Sequence, residues 1–303
     1  MALNTSNART SFRDRLATAP ISWGICEVPG WGPQMDPSRV LSEMQSLGFG
    51  VTELGSPGFF PEDAADVKRL LSSFELRMLG GFVPLVMHKA DAAEAMLAEA
   101  EQIAEFLAAA GSWHFITAPV TTSDWGPRET LTPDEWLHLA AMLTSVDEIC
   151  VRHGLTQVLH PHVGTVVETA EDVQMVLEHS SVQWCLDTGH LHIGGTDPLA
   201  FAKEHFDRIG LVHLKDVVDN VVPRLNSGEL SIMEAVQAGI FSNLGEGDIP
   251  LDEIVLFLEG EGYNKWYVVE QDAAIEGDMP AAGTGPVEDV ERSLSFLKRL
   301  AVA

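Results

Sequence analysis

Eight times along the chain of 303 residues, a short apolar run rich in β-branched and aromatic residues precedes a longer stretch whose apolar residues recur at helical spacing. The predicted strands cover residues 20–25, 50–54, 77–83, 113–117, 156–160, 183–187, 210–214 and 266–270. Strands 183–187 and 210–214 are apolar on both alternating faces, which is typical of a parallel sheet covered by helices. The pattern therefore predicts an α/β fold, a closed (β/α)8 TIM barrel, which usually needs about 250 residues.

The chain is expected to form one domain over residues 1–303, because no linker rich in Pro and Gly divides it. We predict an N-terminal extension over residues 1–17 and an insertion over about residues 217–248, between the seventh and eighth strands. An open doubly wound sheet is the competing fold. It is disfavoured because no GxGxxG motif follows the first predicted strand and no GxxxxGKS/T motif occurs.

The charge of the chain excludes two classes of partner. It has 18 Lys and Arg against 45 Asp and Glu, a net charge of −27, which repels phosphate backbones and anionic lipid headgroups. We therefore expect no nucleic acid and no membrane partner, while a homo-oligomer is left open. Three widely spaced cysteines and no signal-like or membrane-spanning apolar run favour the cytoplasm.

Ionisable residues gather at the predicted strand ends, where the active sites of TIM barrels lie. Six of the eight strands end in, or run on to, a group that can bind a metal or move a proton: Glu53; His88; His160 with His162; Asp187 with His190; His213 with Lys215 and Asp216; and Glu270 with Asp272. A barrel mouth cannot bury so many uncompensated charges without a large cost. A divalent cation at their centre would compensate them, and a metal-free charge network is the alternative.

The expected metal ligands come from four consecutive strands: His160, Asp187, His213 and Glu270. His162 is the alternative to His160, because Pro161 separates the two imidazoles and only one needs to face inward. Carboxylates mixed with imidazoles suit Mn²⁺ or Co²⁺ first, and also Mg²⁺, Fe²⁺ or Zn²⁺, rather than a metal that prefers thiolate ligands.

A second group of residues is predicted to contact a small polyol or keto-sugar. Its members lie beside the expected metal centre: Trp23, His88, His162, Asp216 and Asp272. An aromatic face such as that of Trp23 can stack on a sugar-like ring, and Trp31 and Trp125 lie in similar loops. For these tryptophans a place in the core or in an oligomer contact is the competing interpretation.

The motifs DTGH (187–190), HLKD (213–216) and VVEQD (268–272) resemble those of the xylose-isomerase-like barrels. Within that superfamily, the segments APISWGICEVPGWG (19–32), HPHVGT (160–165) and AGIFSNLGEGDIPL (238–251) resemble the myo-inosose-2 dehydratase branch. The resemblance implies that Asp187, His213 and Glu270 bind the metal and that His190 and Lys215 line the substrate pocket. It extends over almost the whole chain from residue 19 to residue 300.

One departure from the superfamily bears on the reaction. The epimerases have a glutamate at the end of the fifth strand, where this chain has His160. Epimerisation usually needs two opposed acid–base groups, whereas dehydration needs one base and an acid for the leaving hydroxyl. The resemblance therefore implies a metal-dependent lyase that dehydrates a keto-inositol through an enediolate.

The candidates for the proton transfers are Glu53, His190, Lys215 and Glu270. We expect His190 or Glu53 to act as acid or base and Lys215 to polarise substrate oxygens. Competing functions are a metal-dependent isomerase or epimerase of another ketose, a 3-oxo-glycoside lyase subunit, and a polyol-binding protein. Endonuclease activity is the weakest, because the chain lacks a basic face.

Overall fold

Parallel strands form a nearly closed barrel in the computed structural model, which describes residues 11–300. The strands are β1 (Leu16–Thr18), β2 (Val51–Thr52), β3 (Arg77–Met78), β4 (Gly80–Leu85), β5 (His114–Pro119), β6 (Thr156–Leu159), β7 (Gln183–Asp187), β8 (Ile209–Leu214), β9 (Asp216–Val217), β10 (Phe241–Ser242) and β11 (Tyr267–Val269). The main sheet runs in the order β3-β2-β1-β11-β8-β7-β6-β5-β4, with parallel pairs throughout.

Leu79 alone separates β3 from β4, and its backbone joins them into one barrel strand. Its N–H donates to the carbonyl of Thr52 on one side, and its carbonyl accepts from the N–H of His114 on the other. The nine segments of the main sheet therefore make an eight-stranded barrel. The predicted α/β TIM barrel is confirmed.

Helices surround the barrel and connect its strands. They are α1 (Pro37–Leu47), α2 (Ala64–Ser73), α3 (Ala93–Ala110), α4 (Pro133–Arg152), α5 (Ala170–His179), α6 (Thr188–Ile193), α7 (Pro198–Glu204), α8 (Val222–Asn226), α9 (Ile232–Gln237), α10 (Leu251–Glu261) and α11 (Pro286–Arg299). Side-chain caps start several of them, as when Asp36 accepts from Ser38 N–H before α1 and Thr132 forms a capping box with Glu135 before α4. Among residues 11–300, no helix combines the length and the apolar character needed to cross a bilayer.

The first strand differs from the prediction. Residues 20–25 do not form a strand, since Pro20–Trp23 is a 3₁₀ helix, and the strand is Leu16–Thr18, which pairs with Tyr267–Val269. Pro20 has no N–H to donate to a sheet, and a strand of three residues is too short to show a period of two. The proposed extension over 1–17 therefore overlaps the barrel from residue 16, and residues 1–10 lie outside the described residues.

The barrel has two apolar layers. Small and β-branched side chains fill its interior, including Ala17, Val158, Cys185 and Leu211. A much larger cluster lies between the strands and the helices. Between β8 and β11, where the sequence predicts an insertion, β9 and β10 form an antiparallel pair joined through α8 and α9.

A buried ion pair joins the start of β1 to α10. The Arg15 guanidinium lies 2.8 and 2.6 Å from the two carboxylate oxygens of Glu259, and it also donates to the carbonyls of Tyr263 and Lys265. The Tyr267 hydroxyl donates to the same carboxylate. Both charged side chains are more than nine-tenths buried, so removing one would take a short, charged hydrogen-bond partner from the other.

We expect Arg15→Ala to lower the free energy of unfolding by about 3–5 kcal/mol, because it removes the guanidinium that pairs with both oxygens of the buried Glu259 carboxylate. The measurement is urea denaturation followed by tryptophan fluorescence. The control is Arg69→Ala, which removes an exposed pair with Asp66 on α2 and should cost less than about 1 kcal/mol. Equal losses in the two variants would contradict this account of the ion pair.

Candidate active site at the barrel mouth

Buried ionisable side chains converge where the parallel strands end. Glu53 follows β2, Asp187 is the last residue of β7, and His213 lies in β8, directly paired with Asp187 in the sheet. His160 follows β6 and Glu270 follows β11, and all five side chains are buried. The structure thus brings the four predicted metal ligands and Glu53 into one cluster.

His213 lies at the centre of the cluster. Its Nε2 is 2.9 Å from Glu53 Oε1, and its Nδ1 is 2.7 Å from Glu270 Oε2 and 3.7 Å from Asp187 Oδ2. A carboxylate can only accept, so Nε2 carries the proton that Glu53 accepts. Burial alone would lower the pKa of His213, but Cys185, Glu53 and Glu270 raise it well above its usual value.

Lys215 supplies the ammonium of the cluster. Its Nζ lies 2.8 Å from both Glu270 Oε1 and Asp272 Oδ1, and 3.1 Å from His190 Nε2. Burial alone would lower the pKa of Lys215, but the carboxylates of Asp272, Glu270 and Asp187 outweigh it and raise the pKa well above its usual value. Lys215 is therefore a fixed positive charge, although its side chain is 1% exposed.

Lys215 depends on a glycine in the neighbouring helix. A Cβ on Gly189, in the first turn of α6, would lie 2.8–3.0 Å from Cγ, Cδ and Cβ of Lys215. Such contacts are closer than real Cβ atoms make, and they involve the stem of the lysine rather than its flexible end. The glycine of the DTGH motif therefore makes room for the lysine of the HLKD motif.

The two carboxylate oxygens of Asp187 have different roles. Oδ1 accepts the backbone N–H of His190 at 2.7 Å and caps α6. Oδ2 faces His160 Nε2 at 3.3 Å and Lys215 Nζ at 3.7 Å, and it has no hydrogen-bond partner among the described residues. Burial alone would raise the pKa of Asp187, but Lys215 and His160 lower it, so this oxygen carries negative charge.

Buried polar atoms that lack hydrogen-bond partners indicate whether the site fits a cation. Nδ1 of His213 lacks a hydrogen-bond partner within residues 11–300 although Glu270 Oε2 is 2.7 Å away. Nδ1, Glu270 Oε2 and Asp187 Oδ2 thus converge without the geometry of hydrogen bonds, and a cation bound here would replace the proton that the raised pKa of His213 places on the ring. The group Glu53, His213 and Glu270 has ligand atoms within 4.8 Å of one another. His213, Glu270 and Asp187 offer nitrogen and oxygen donors that fit a divalent cation. Glu53 orients the imidazole of His213 through the hydrogen bond at Nε2.

Imidazole and aromatic rings form one wall of the mouth. The ring centroids of His162 and His190 are 3.8 Å apart, and His162 Nδ1 lies 2.7 Å from the carbonyl oxygen of Val163. Burial, followed by His160 and Lys215, lowers the pKa of His162 to about 3, so this imidazole is neutral. His160, rather than His162, faces Asp187.

Phe82 was not predicted to belong to the site. Its ring lies 5.5 Å from that of His160 and 5.6 Å from that of His162, and it stacks on Trp125 at 6.0 Å with an interplanar angle of 13°. Trp125 is 39% exposed. Nothing in the sequence distinguishes Phe82 from the other apolar strand residues, because an aromatic side chain on a strand is typical of the core.

Two predicted substrate-binding residues have structural contacts instead. The Asp216 carboxylate accepts the backbone N–H groups of Val217, Gly245, Gly247 and Ile249, which occupy both oxygens. Trp23 is 0% exposed, and its indole N–H donates to Glu43. Asp216 therefore fixes the loop that precedes α10, and Trp23 packs in the core, so these contacts account for both side chains, and their contact with substrate stays a prediction.

The last two predicted pocket residues have different neighbours. Asp272 contacts Lys215 and lines a cavity of about 390 Å³ together with Phe241 and Gln271. His88 stays apart from the cluster, since the charged groups near it are Lys89 and Glu129, with His88 Nε2 3.9 Å from Glu129 Oε2. Its predicted contact with substrate stays a prediction.

Comparisons with known proteins agree with this fold. A family model described as "Xylose isomerase-like TIM barrel" matches residues 41–300. An inosose dehydratase of Geobacillus kaustophilus (strain HTA426) is 34% identical over 275 residues, which cover 86% of this chain and 89% of the relative. The rhizopine catabolism protein MocC of Rhizobium meliloti is 32% identical over 268 residues, 84% of this chain and 81% of the relative.

A crystal structure of the IolI protein with a zinc atom has the same fold. It superposes with a TM-score of 0.69 and 15% identity, covering 94% of this chain and 97% of that one. Together with the match over residues 41–300, these likenesses establish the family. The chain belongs to the xylose isomerase-like TIM barrel family, in which it is similar to the inosose dehydratases.

Proposed function

We propose that this chain is a metal-dependent hydro-lyase that removes water from 2-keto-myo-inositol, an inosose, and forms a trihydroxycyclohexane-dione. The observation that carries the proposal is the convergence of His213 Nδ1, Glu270 Oε2 and Asp187 Oδ2 without hydrogen bonds between them. Relatives that are 27–34% identical over most of the chain and are named inosose dehydratase support the choice of reaction.

The cation is proposed to be Mn²⁺ or Co²⁺, held by His160, Asp187, His213 and Glu270. Oxygen and imidazole ligands together suit these ions. When bound, the cation would polarise the ketone and the neighbouring hydroxyl of the substrate and so acidify the α-hydrogen. The zinc atom in the IolI structure supports a divalent ion in this family.

Glu53 is the proposed base. The hydrogen bond from His213 occupies Oε1 of Glu53, and no described residue donates to Oε2, which is left to accept a proton from the substrate. The Nε2 lone pair of His190, by contrast, faces the Lys215 ammonium at 3.1 Å. Burial, followed by His162 and Lys215, lowers the pKa of His190 well below its usual value, so His190 is a neutral imidazole whose Nε2 is occupied by Lys215.

Lys215 is the proposed donor to substrate oxygens and to the leaving hydroxyl. Glu270 and Asp272 hold its Nζ in place, and the Phe241 ring lies 5.0 Å from it. A donor fixed in this way needs no reorganisation when negative charge develops on the substrate. Phe82, Trp125 and His162 form the wall on which the ring of the polyol would rest.

Dehydration fits the site better than epimerisation does. An epimerase needs proton-transfer groups on both faces of one carbon, whereas the position that would hold the second glutamate is His160, which faces Asp187. An uncharged polyol is also compatible with a chain of net charge −27. Three unpaired thiols support a reducing cytoplasm as the location.

The test of the function is incubation of the purified protein with 2-keto-myo-inositol and Mn²⁺ or Co²⁺. Dione formation, followed by absorbance and mass spectrometry, is the expected result. Exchange of the α-hydrogen with deuterated solvent without loss of water would instead identify an epimerase or isomerase. Absence of both reactions with several divalent ions would overturn the proposed chemistry and leave the fold unaffected.

Asp187→Asn should lower kcat/KM at least about 100-fold and weaken Mn²⁺ binding, because it removes the charge of a ligand oxygen. Both are measured, by dione formation and by equilibrium dialysis. Asp197→Asn is the matched control, since Asp197 caps α7 through Leu199 and Ala200 as Asp187 caps α6, but lies outside the cluster. Loss of activity in both variants would assign Asp187 a capping role only.

Gly189→Ala should lower kcat/KM about 10- to 100-fold, because the added methyl displaces Lys215. If it acts through the lysine, the double variant with Lys215→Met will be no less active than Lys215→Met alone. Gly260→Ala, on an exposed turn of α10 with no atom near the new Cβ, should leave activity unchanged. Additive losses in the double variant would contradict a positioning role for Gly189.

A further inference from the structure

Cys185 lies deeper in the barrel than the cluster of proposed metal ligands. It precedes Asp187 by two residues on β7, so both side chains point to the same face of the strand, and Cys185 is about 6–7 Å deeper in the barrel. The thiol is fully buried in the interior apolar layer with Ala17, Val158 and Leu211. Neither the proposed reaction nor the four oxygen and imidazole ligands of the mouth use it.

Three possible metal-ligand atoms lie close together at Cys185. Cys185 Sγ, one ring nitrogen of His160 and one of His213 lie within 4.8 Å of one another. His160 Nδ1 is buried and accepts or donates no hydrogen bond among residues 11–300, and the His160 side chain is 2% exposed. The orphaned imidazole nitrogen is an independent sign of a ligand position, beyond the presence of the cysteine.

The chemistry of this set differs from that of the mouth. One thiolate and two imidazoles form a site that thiophilic ions such as Zn²⁺ and Cd²⁺ prefer, whereas Mn²⁺ and Mg²⁺ prefer carboxylate oxygens. Bond lengths of about 2.3 Å to sulfur and about 2.0 Å to nitrogen put one sulfur and two nitrogen ligand atoms about 3.3–3.5 Å apart in a tetrahedral site. Small rotations of the three side chains would reach this spacing.

We infer that Cys185, His160 and His213 form a second cation site, selective for thiophilic ions and mutually exclusive with the site at the mouth. His213 is a member of both ligand groups, and its Nε2 is hydrogen-bonded to Glu53, so Nδ1 is the His213 nitrogen left for a metal and it can bind one ion at a time. Binding deprotonates the thiol, the proton leaves to solvent, and a sulfur–metal bond forms without any change of oxidation state. Zn²⁺ or Cd²⁺ in this site displaces Mn²⁺ from the mouth.

The thiolate site rests on three side chains and can be tested without a substrate, whereas the displacement of Mn²⁺ rests on the cation site of the proposed function. A structural role for Cys185 alone, as a packed thiol beside His213, would produce no bond between sulfur and a metal. The two accounts therefore differ in a spectroscopic signature. They also differ in whether Cd²⁺ and Mn²⁺ compete for the protein.

The experiment titrates the purified full-length protein with Cd²⁺ and follows the ultraviolet thiolate-to-cadmium charge-transfer band. In the wild type we expect the band to saturate at one Cd²⁺ per chain. Cys150→Ser is the control and should give the same result, because this cysteine is buried in α4, away from the barrel interior. The band should disappear in Cys185→Ser and in Cys185→Ala. Added Cd²⁺ should release bound Mn²⁺ from the wild type, which electron paramagnetic resonance detects as free Mn²⁺. The Cys185 variants should need a Cd²⁺ concentration at least about tenfold higher for the same release.

Cadmium NMR of the wild type gives a second readout that needs no variant. A chemical shift typical of mixed sulfur and nitrogen ligands is expected, and it decides the matter if the Cys185 variants fail to fold. A shift typical of oxygen and nitrogen ligands alone would overturn the inference. So would the absence of a charge-transfer band in the wild type, or its persistence in a folded Cys185 variant.

Discussion

The concentration of buried charge around His213 is the constraint on which the rest of the site depends. Glu53, Asp187 and Glu270 surround one imidazole in a space closed to solvent, and Lys215 is the ammonium beside them. Burying carboxylates so close together is unfavourable unless positive charge is supplied at the same place. The proposed divalent cation would supply it where His213 Nδ1, Asp187 Oδ2 and Glu270 Oε2 converge.

The barrel gives this cluster its rigidity through backbone anchors. Asp187 caps α6 with one oxygen and faces the site with the other, so the helix fixes the ligand. Asp216 holds the loop before α10 through four backbone N–H groups. Farther from the mouth, the Arg15–Glu259 pair joins β1 to α10. The site therefore stands on short, fixed segments, as preorganised catalysis requires.

Much of this organisation could be predicted from the sequence. Parallel strands bring their carboxyl ends to one face, so ionisable residues at strand ends, such as Asp187 and Glu270, had to converge once a barrel was assumed. Local patterns could not separate a ligand from an anchor. Asp216 has the same motif context as Lys215, yet its oxygens face backbone N–H groups, a contact with residues 245–249 that only the folded loop reveals.

Short or ordinary elements were the least predictable. The strand Leu16–Thr18 is too short to show alternation of apolar and polar residues. The more aromatic segment after it, which contains Pro20, fits the pattern of a strand better but forms a 3₁₀ helix. Phe82 carries no chemical signal in the sequence and joins the site only because β4 places it beside His160. Trp23 could be assigned to the substrate pocket or to the core from the sequence, and its indole N–H donates to Glu43 inside the core.

Anomalous diffraction from crystals grown with Mn²⁺ tests the central claim most directly. A single manganese peak within bonding distance of His213 Nδ1, Asp187 Oδ2 and Glu270 Oε2, with Glu53 still hydrogen-bonded to Nε2, is the predicted result. A fully occupied manganese elsewhere, or none at saturating Mn²⁺ with His213 held between Glu53 and Glu270 by hydrogen bonds alone, would contradict it.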